Sequence, residues 1–359
     1  MTGPESPADG PALHIGQAVD WRFAATVGGW LARPGPATTE YTRRQVIDDL
    51  LGAARAAEPL VRDVTGLGSD AAVPEARVVD RPQWISAATD SMRTMTGGAG
   101  QPGGFLTGRV TGAQTGALLA YVSAGILGQY DPFAEDGIGR LLLVYPNVIG
   151  IERQLRVVPG DFRLWVCLHE VTHRVQFTVN PWLSGHMAEA LAVLTGDGGE
   201  DVMAMLARLA DYVRGRWTGG SAANGPTGTP SGILGVVRAV QSEPQRNALD
   251  RLMALGTLLE GHADHVMDAV GPAAVPSVAT IRRRFDERRR RSQPPLQRLL
   301  RALLGIDAKL SQYTRGKAFV DDVVAAVGME RFNAIWSGPD TLPLPVEIEE
   351  PRRWIDRVL

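Results

Sequence analysis

The chain has 359 residues, of which 44% are hydrophobic and 21% charged, with a formal net charge of -2. That mixture excludes whole-length disorder and collagen-like or disulfide-scaffold classes, and the near-zero charge supplies no global field toward nucleic acid or an anionic membrane. Cys167 is the one cysteine, so no internal disulfide can form and nothing points to an oxidising compartment. No stretch approaches the roughly 18 apolar residues of a membrane span. Met1 to Ala12 has neither the basic region nor the apolar run of a signal peptide. The expectation is a cytoplasmic protein with no nucleic-acid partner and no membrane partner.

In chain order, residues 1–12 read as a disordered tail. Helical patterns follow over about Ile15 to Trp30 and, after Pro34-Gly35-Pro36, over about Thr42 to Val64. Ala76 to Asp80 reads as a short strand, and Arg81-Pro82 opens a helix through Met95. Thr96 to Gly108 is glycine-rich and reads as a loop, and Gly112 to Leu127 as a buried helix of small residues. The continuous apolar run Leu141 to Tyr145 predicts a buried strand, expected at the upper edge of a cleft. A long helix is predicted from Asp161, as N-cap, to about Val179, where Asn180-Pro181 stops it. A second opens at Ser242, with Gln245 at capping-box spacing, and runs to Gly271-Pro272. Between them, Gly215 to Gly232 reads as a surface loop or as a flap over the cleft. Pro339 to Pro351 reads as an extended strap on the surface.

His169-Glu170-Val171-Thr172-His173 falls in the middle of the first long helix. Histidines four residues apart project from one helix face, one turn apart, and both can reach one zinc ion. Glu170 then lies beside the metal without binding it, placed to take a proton from a water activated there. The competing reading is two half-buried histidines on an ordinary amphipathic helix, whose apolar stripe is Leu164, Leu168, Val171 and Val175. A catalytic zinc wants a third protein ligand and an open position. On the second long helix, Glu260 and Asp264 end the row Leu249, Met253, Gly256, and two carboxylates on an inward stripe are costly without compensation. Glu260 as ligand and Asp264 as the acceptor orienting a ligand histidine would supply it. Gly256 and Gly261 would let the two long helices approach closely.

His-Glu-x-x-His followed by Glu-x-x-x-Asp on a later helix resembles the gluzincin type of zinc metallopeptidase. More closely, the chain resembles the actinobacterial zincin-like metallopeptidase type 2 family, one branch of which is labelled as associated with coenzyme F420 biosynthesis. The resembling stretches are Gly128 to Pro132, Cys167 to Phe177, Leu259 to Asp264, and Leu303 to Leu310 with Gln312-Tyr313. The resemblance implies an α+β, predominantly α-helical fold: a zincin-like core with a small sheet and extensive helical elaboration. It implies one zinc per chain held by His169, His173 and Glu260, with Glu170 as base. Arg174 departs from the general pattern, which prefers an uncharged residue there, and the gap from His173 to Glu260 is far longer than in thermolysin-like enzymes. His262 and His265 therefore stay open as alternative third ligands. The expected organisation is a mostly helical region over 13–135, with 136–359 as the catalytic region packed on it.

Zincins often steady the tetrahedral oxyanion with a tyrosine or histidine, which makes Tyr313 a candidate, against the ordinary reading of a buried tyrosine. His186 could reach the cleft rim or lie on the surface. Cys167 reads as a core residue. The basic run Arg282 to Arg291 reads as a solvated helix end before Pro294-Pro295. The expected activity is hydrolysis of a peptide or amide bond in a peptide or protein substrate. The alternative is a catalytically inactive zincin scaffold acting as a binding or regulatory module.

Overall fold

The computed structural model of the protein describes residues 19–68, 73–96, 105–134, 139–195, 242–290 and 306–359. The tail at 1–12 and the stretch 215–232 lie outside these residues. Local signals set several helix ends. Asp20 caps α1 (Trp21–Leu31) by accepting from the Phe23 amide, and Thr39 does the same for α2 (Glu40–Thr65) through Thr42. Gly66 ends α2 in the left-handed region at φ 64°, its N–H returned to Arg62 O. The strand β1 (Arg77–Val79) and the helix α3 (Arg81–Met95), closed by an Asp80–Gln83 capping box, form where the sequence predicts them.

The next helix, α4 (Phe105–Ser123), opens inside the expected loop and stops short of Leu127. Glycine weighs against a helix locally, but here it serves the tertiary contact. A Cβ on Gly112 would stand 2.6 Å from Asp20 O, and one on Gly116 would stand 2.4 Å from Ala24 O, so α1 and α4 touch backbone to backbone. The residues after α4 form β2 (Gly128–Asp131), which pairs antiparallel with β3 (Arg140–Val144) in the register Gly128↔Leu143 to Asp131↔Arg140. β1 pairs with β3 in parallel, giving the order β1-β3-β2. The expectation that 141–144 forms the cleft's upper edge is corrected. An unbroken Leu-Leu-Leu-Val run suits a strand buried on both faces, so β3 is central, and the edge is β2. Tyr145 and Pro146 open a helix not anticipated, α5 (Tyr145–Leu155).

The motif helix α6 (Pro159–Val179) begins one turn earlier than expected, with Pro159 in its first turn. Asp161 is not its cap; it lies in that turn and accepts the Ser277 amide at 2.8 Å. After α7 (Trp182–Thr195), the capping box of Ser242 and Gln245 opens α8 (Glu243–Ala274), which kinks at Gly271 (φ 69°). Beyond lie α9 (Val278–Arg290) and α10 (Ile306–Phe332). The C-terminal strap is also corrected: 3-10 turns and two short helices, α11 (Pro345–Glu349) and α12 (Pro351–Val358), bury Ile348 and Trp354. Trp354 is an anchor that an extended surface segment would leave wet.

The fold is thus α+β and predominantly helical. Its main core places α6 between α2 and α8, with Leu168, Val171 and Val175 fully buried. Trp84, Ile85, Leu119 and Val144 centre a smaller cluster beneath α3 and α4. Arg174, the departure from the zincin pattern, is absorbed here: its guanidinium is buried, pairs with Glu58 of α2 at 2.5 Å and donates to Pro74 O. No described helix is long and apolar enough to cross a membrane.

Candidate metal centre

Two turns in the middle of α6 present His169 and His173 on one face, their Nε2 atoms 3.2 Å apart and their rings at 89°. Across from them, α8 supplies Glu260, whose Oε2 lies 3.2 Å from His169 Nε2 and 3.8 Å from His173 Nε2. One donor atom from each of the three falls within 4.8 Å of the others, the only such group among the described residues. Of the three alternatives for the third position, Glu260 is the one that converges.

The arrangement of α8 follows from its other face. A Cβ on Gly261 would stand 2.2 Å from the Gly316 backbone, and one on Gly316 would stand 2.1 Å from Thr257 O. Gly261 therefore brings α8 onto α10, not onto α6 as expected, and Gly256 has open space over it and lines the cleft. Pinning α8 on that side fixes where Glu260 emerges, one residue away.

Gln176 holds the two helices in register around the site. Its Oε1 accepts from His173 Nδ1 at 2.9 Å, and its Nε2 donates to Leu259 O and to His262 Nδ1, both at 3.0 Å. This assigns the His173 tautomer: with the proton on Nδ1, the Nε2 lone pair faces the centre. His262 is fully buried, stacked on Phe332 with centroids 5.5 Å apart and edge-on to Trp336, so it serves as an acceptor in the core and is not a ligand. Burial holds its pKa down at about 3, in the neutral form.

The other expected residues divide. Asp264 lines the cleft, but its carboxylate meets Arg282 at 3.2 Å and bonds neither histidine; the orienting part expected of it falls to Gln176 for His173. His265 pairs through Nδ1 with Asp321 at 2.7 Å, away from the cleft lining. His186 packs against Trp182 and does not reach the rim. Cys167 is buried with Sγ directed at Leu50 O. Tyr313 falls on α10, and its side chain lies outside the described residues.

The centre opens into a cleft of about 590 Å3 that is walled on one side by β2. Glu170 faces it, mostly buried, with its carboxylate packed on Gly128: a Cβ there would stand 2.6 Å from Glu170 Cγ and 3.1 Å from Oε1. No described residue pairs with or hydrogen-bonds this carboxylate. Burial pushes its pKa up to about 7, His169 pulling down and Glu260 pushing up in smaller measure.

A family model for zincin-like metallopeptidases matches residues 19–355. The chain belongs to this family. Among solved structures, the zincin-like chain is similar to a protein from Chloroflexus aurantiacus described as "a putative hydrolase with a novel fold". The two share 28% identity with a TM-score of 0.66, over 94% of this chain and 98% of that one. No curated protein matches.

The residues present fit the zinc that the family implies. Two imidazoles and a carboxylate suit zinc better than magnesium or calcium, which favour all-oxygen shells. The local field also favours a cation at this point. Burial lowers His169, yet the hydrogen bond and charge of Glu260, with Glu170 and Asp264 behind, raise it to about 9. Burial instead lowers His173.

Sequence reasoning missed Gln176 and the edge strand. Gln176 lies three residues after His173 on the same face, a spacing that the helical period makes legible. Gly128 carried no local signal, because its role is to be absent beneath Glu170.

Proposed function

We propose that the protein is a zinc-dependent hydrolase that cleaves a peptide or other amide bond, with one zinc per chain held by His169, His173 and Glu260. The observation that carries this reading is geometric: donor atoms of His169, His173 and Glu260 converge within 4.8 Å of one another, and Glu170 faces the same cleft with its carboxylate unpaired among the described residues. Bound zinc would supply a Lewis acid that acidifies a water and polarises the scissile carbonyl. Glu170 accepts the proton of the attacking water and returns it to the leaving nitrogen. Gln176 keeps the His173 ring in its ligating tautomer throughout.

The extended substrate is placed by β2. Val144 N donates to Leu127 O at 2.8 Å, and the antiparallel register then turns the N–H and C=O groups of Gly128 away from β3. An extended chain can pair with those groups as a fourth strand above α6.

The test is elemental analysis of protein purified without chelator, paired with Glu170→Gln. The expected result is about one zinc per chain in both proteins, and hydrolysis of a mixed peptide pool by the wild type only. Folded protein that neither carries nor takes up zinc would remove the reading; zinc without hydrolysis in the wild type would leave the inactive scaffold.

A further inference from the structure

The face of α6 that carries the centre has an aromatic residue one turn beyond each histidine: Trp165 before His169 and Phe177 after His173. Each belongs to a pair that lines the cleft. Trp165 meets Phe285 of α9 edge-on at 5.3 Å, with Met267 beside them. Phe177 meets Tyr130 of β2 at 5.8 Å, with Met187 of α7 beside them. At a rise of about 1.5 Å per residue, Trp165 and Phe177 are about 18 Å apart along the helix, the reach of about five residues of extended chain. The metal position lies midway.

The charges in the cleft are as one-sided as its walls. Among the described residues, no arginine or lysine lines it, while Asp131, Glu170, Glu260 and Asp264 do. Asp131 is occupied by Ser91 and Arg140, and Asp264 by Arg282, whose guanidinium lies 5.8 Å over the Trp165 ring. Bound zinc would balance the other two in part.

We infer that the substrate is an extended peptide segment with bulky apolar side chains on both sides of the scissile bond. This rests on the proposed function and narrows it to cleavage of hydrophobic segments. The aromatic pairs flank the reacting bond symmetrically, so each takes one side chain, and the thioethers of Met267 and Met187 let each pocket adapt to aromatic or branched occupants.

The full chain, loaded with one equivalent of zinc, is titrated calorimetrically with acetohydroxamate and with three N-acetylated tripeptide hydroxamates. The peptides differ only in carrying phenylalanine, glutamate or lysine side chains. The phenylalanine compound is expected to bind about thirtyfold tighter than the glutamate compound, the gain from burying one large apolar side chain. One of Phe177→Ala and Phe285→Ala, the one on the acyl side of the metal, should remove most of that gain, the other should not, and both should leave acetohydroxamate unchanged. Equal affinity for the phenylalanine and glutamate compounds, with acetohydroxamate bound normally, overturns the inference and leaves the zinc-site reading intact. Failure to retain zinc and to bind acetohydroxamate overturns both.

Discussion

Glu170 and Gly128 are in contact across the cleft, the carboxylate stem of one occupying the space where the other has no side chain. A single methyl at position 128 would stand 2.6 Å from Cγ and 2.8 Å from Cδ of Glu170. The edge strand thus comes as near to Glu170 as a backbone can, and on the proposed reading a substrate paired with that edge would come with it.

Gly128→Ala is therefore expected to displace Glu170 without touching a ligand. Zinc content should stay at the wild-type level, hydrolysis should fall at least about tenfold, and overpacking should cost about 1–3 kcal/mol in urea unfolding. Unchanged turnover would show that Glu170 has room the packing denies it.

Gln176→Ala releases the His173 ring and strips Leu259 O and His262 Nδ1 of their shared donor. Loss of an orienting partner of this kind weakens zinc binding by about 10–100-fold. Chelator competition measures it; affinity equal to wild type would mean that the tautomer is set elsewhere.

Gly316→Ala tests the crossing that positions Glu260. The added Cβ would meet Thr257 O at 2.1 Å, and both partners are backbone, so α10 must move off α8. A loss of about 1–3 kcal/mol in stability is expected, with weakened zinc binding. Reduced stability with zinc affinity intact would uncouple the crossing from the site.

His262 makes stability pH-dependent in a known direction. Its folded pKa is depressed to about 3, against 6.5 for the free side chain. Above pH 6.5 neither state binds the proton and the folded protein has its full stability. As pH falls from 6.5 toward 3, the unfolded chain takes up a proton that the buried ring refuses, so stability drops by about 1.4 kcal/mol per pH unit from this group. Urea unfolding of chelator-treated protein between pH 7 and 5 should show a shallower slope for His262→Gln than for wild type. Identical slopes would mean that the ring protonates in the folded state.

Sequence reasoning reached the parts of the site that one helix dictates. His169, Glu170 and His173 share a face because of the helical period, and Ser242 with Gln245 marked the start of α8, 15 residues before Thr257. Glu260 was legible as a carboxylate stranded on an apolar row. What failed to show were relations between elements. Gly261 reads as a close approach, but its sequence does not say to which helix. Asp264 reads as an acceptor, and only the packing of α9 brings Arg282 to claim it. The strap from Pro339 to Pro351 is proline-rich and acidic, yet Trp354 just beyond it decides that the segment packs inward. The cleft edge was expected at 141–144 because β2, four residues long with no apolar alternation, did not read as a strand.

Trp354 packs on Phe332, Phe332 stacks on His262, and His262 receives the hydrogen bond from the amide that holds His173. During synthesis, then, all three ligands leave the ribosome nearly a hundred residues before the last support of one of them does. A nascent chain halted ahead of Trp354 owns every donor atom and an unfinished shell around them. On the proposed reading, metal capture at full strength would follow completion of the helix that carries Trp354, and proteolytic loss of that helix is expected to loosen zinc.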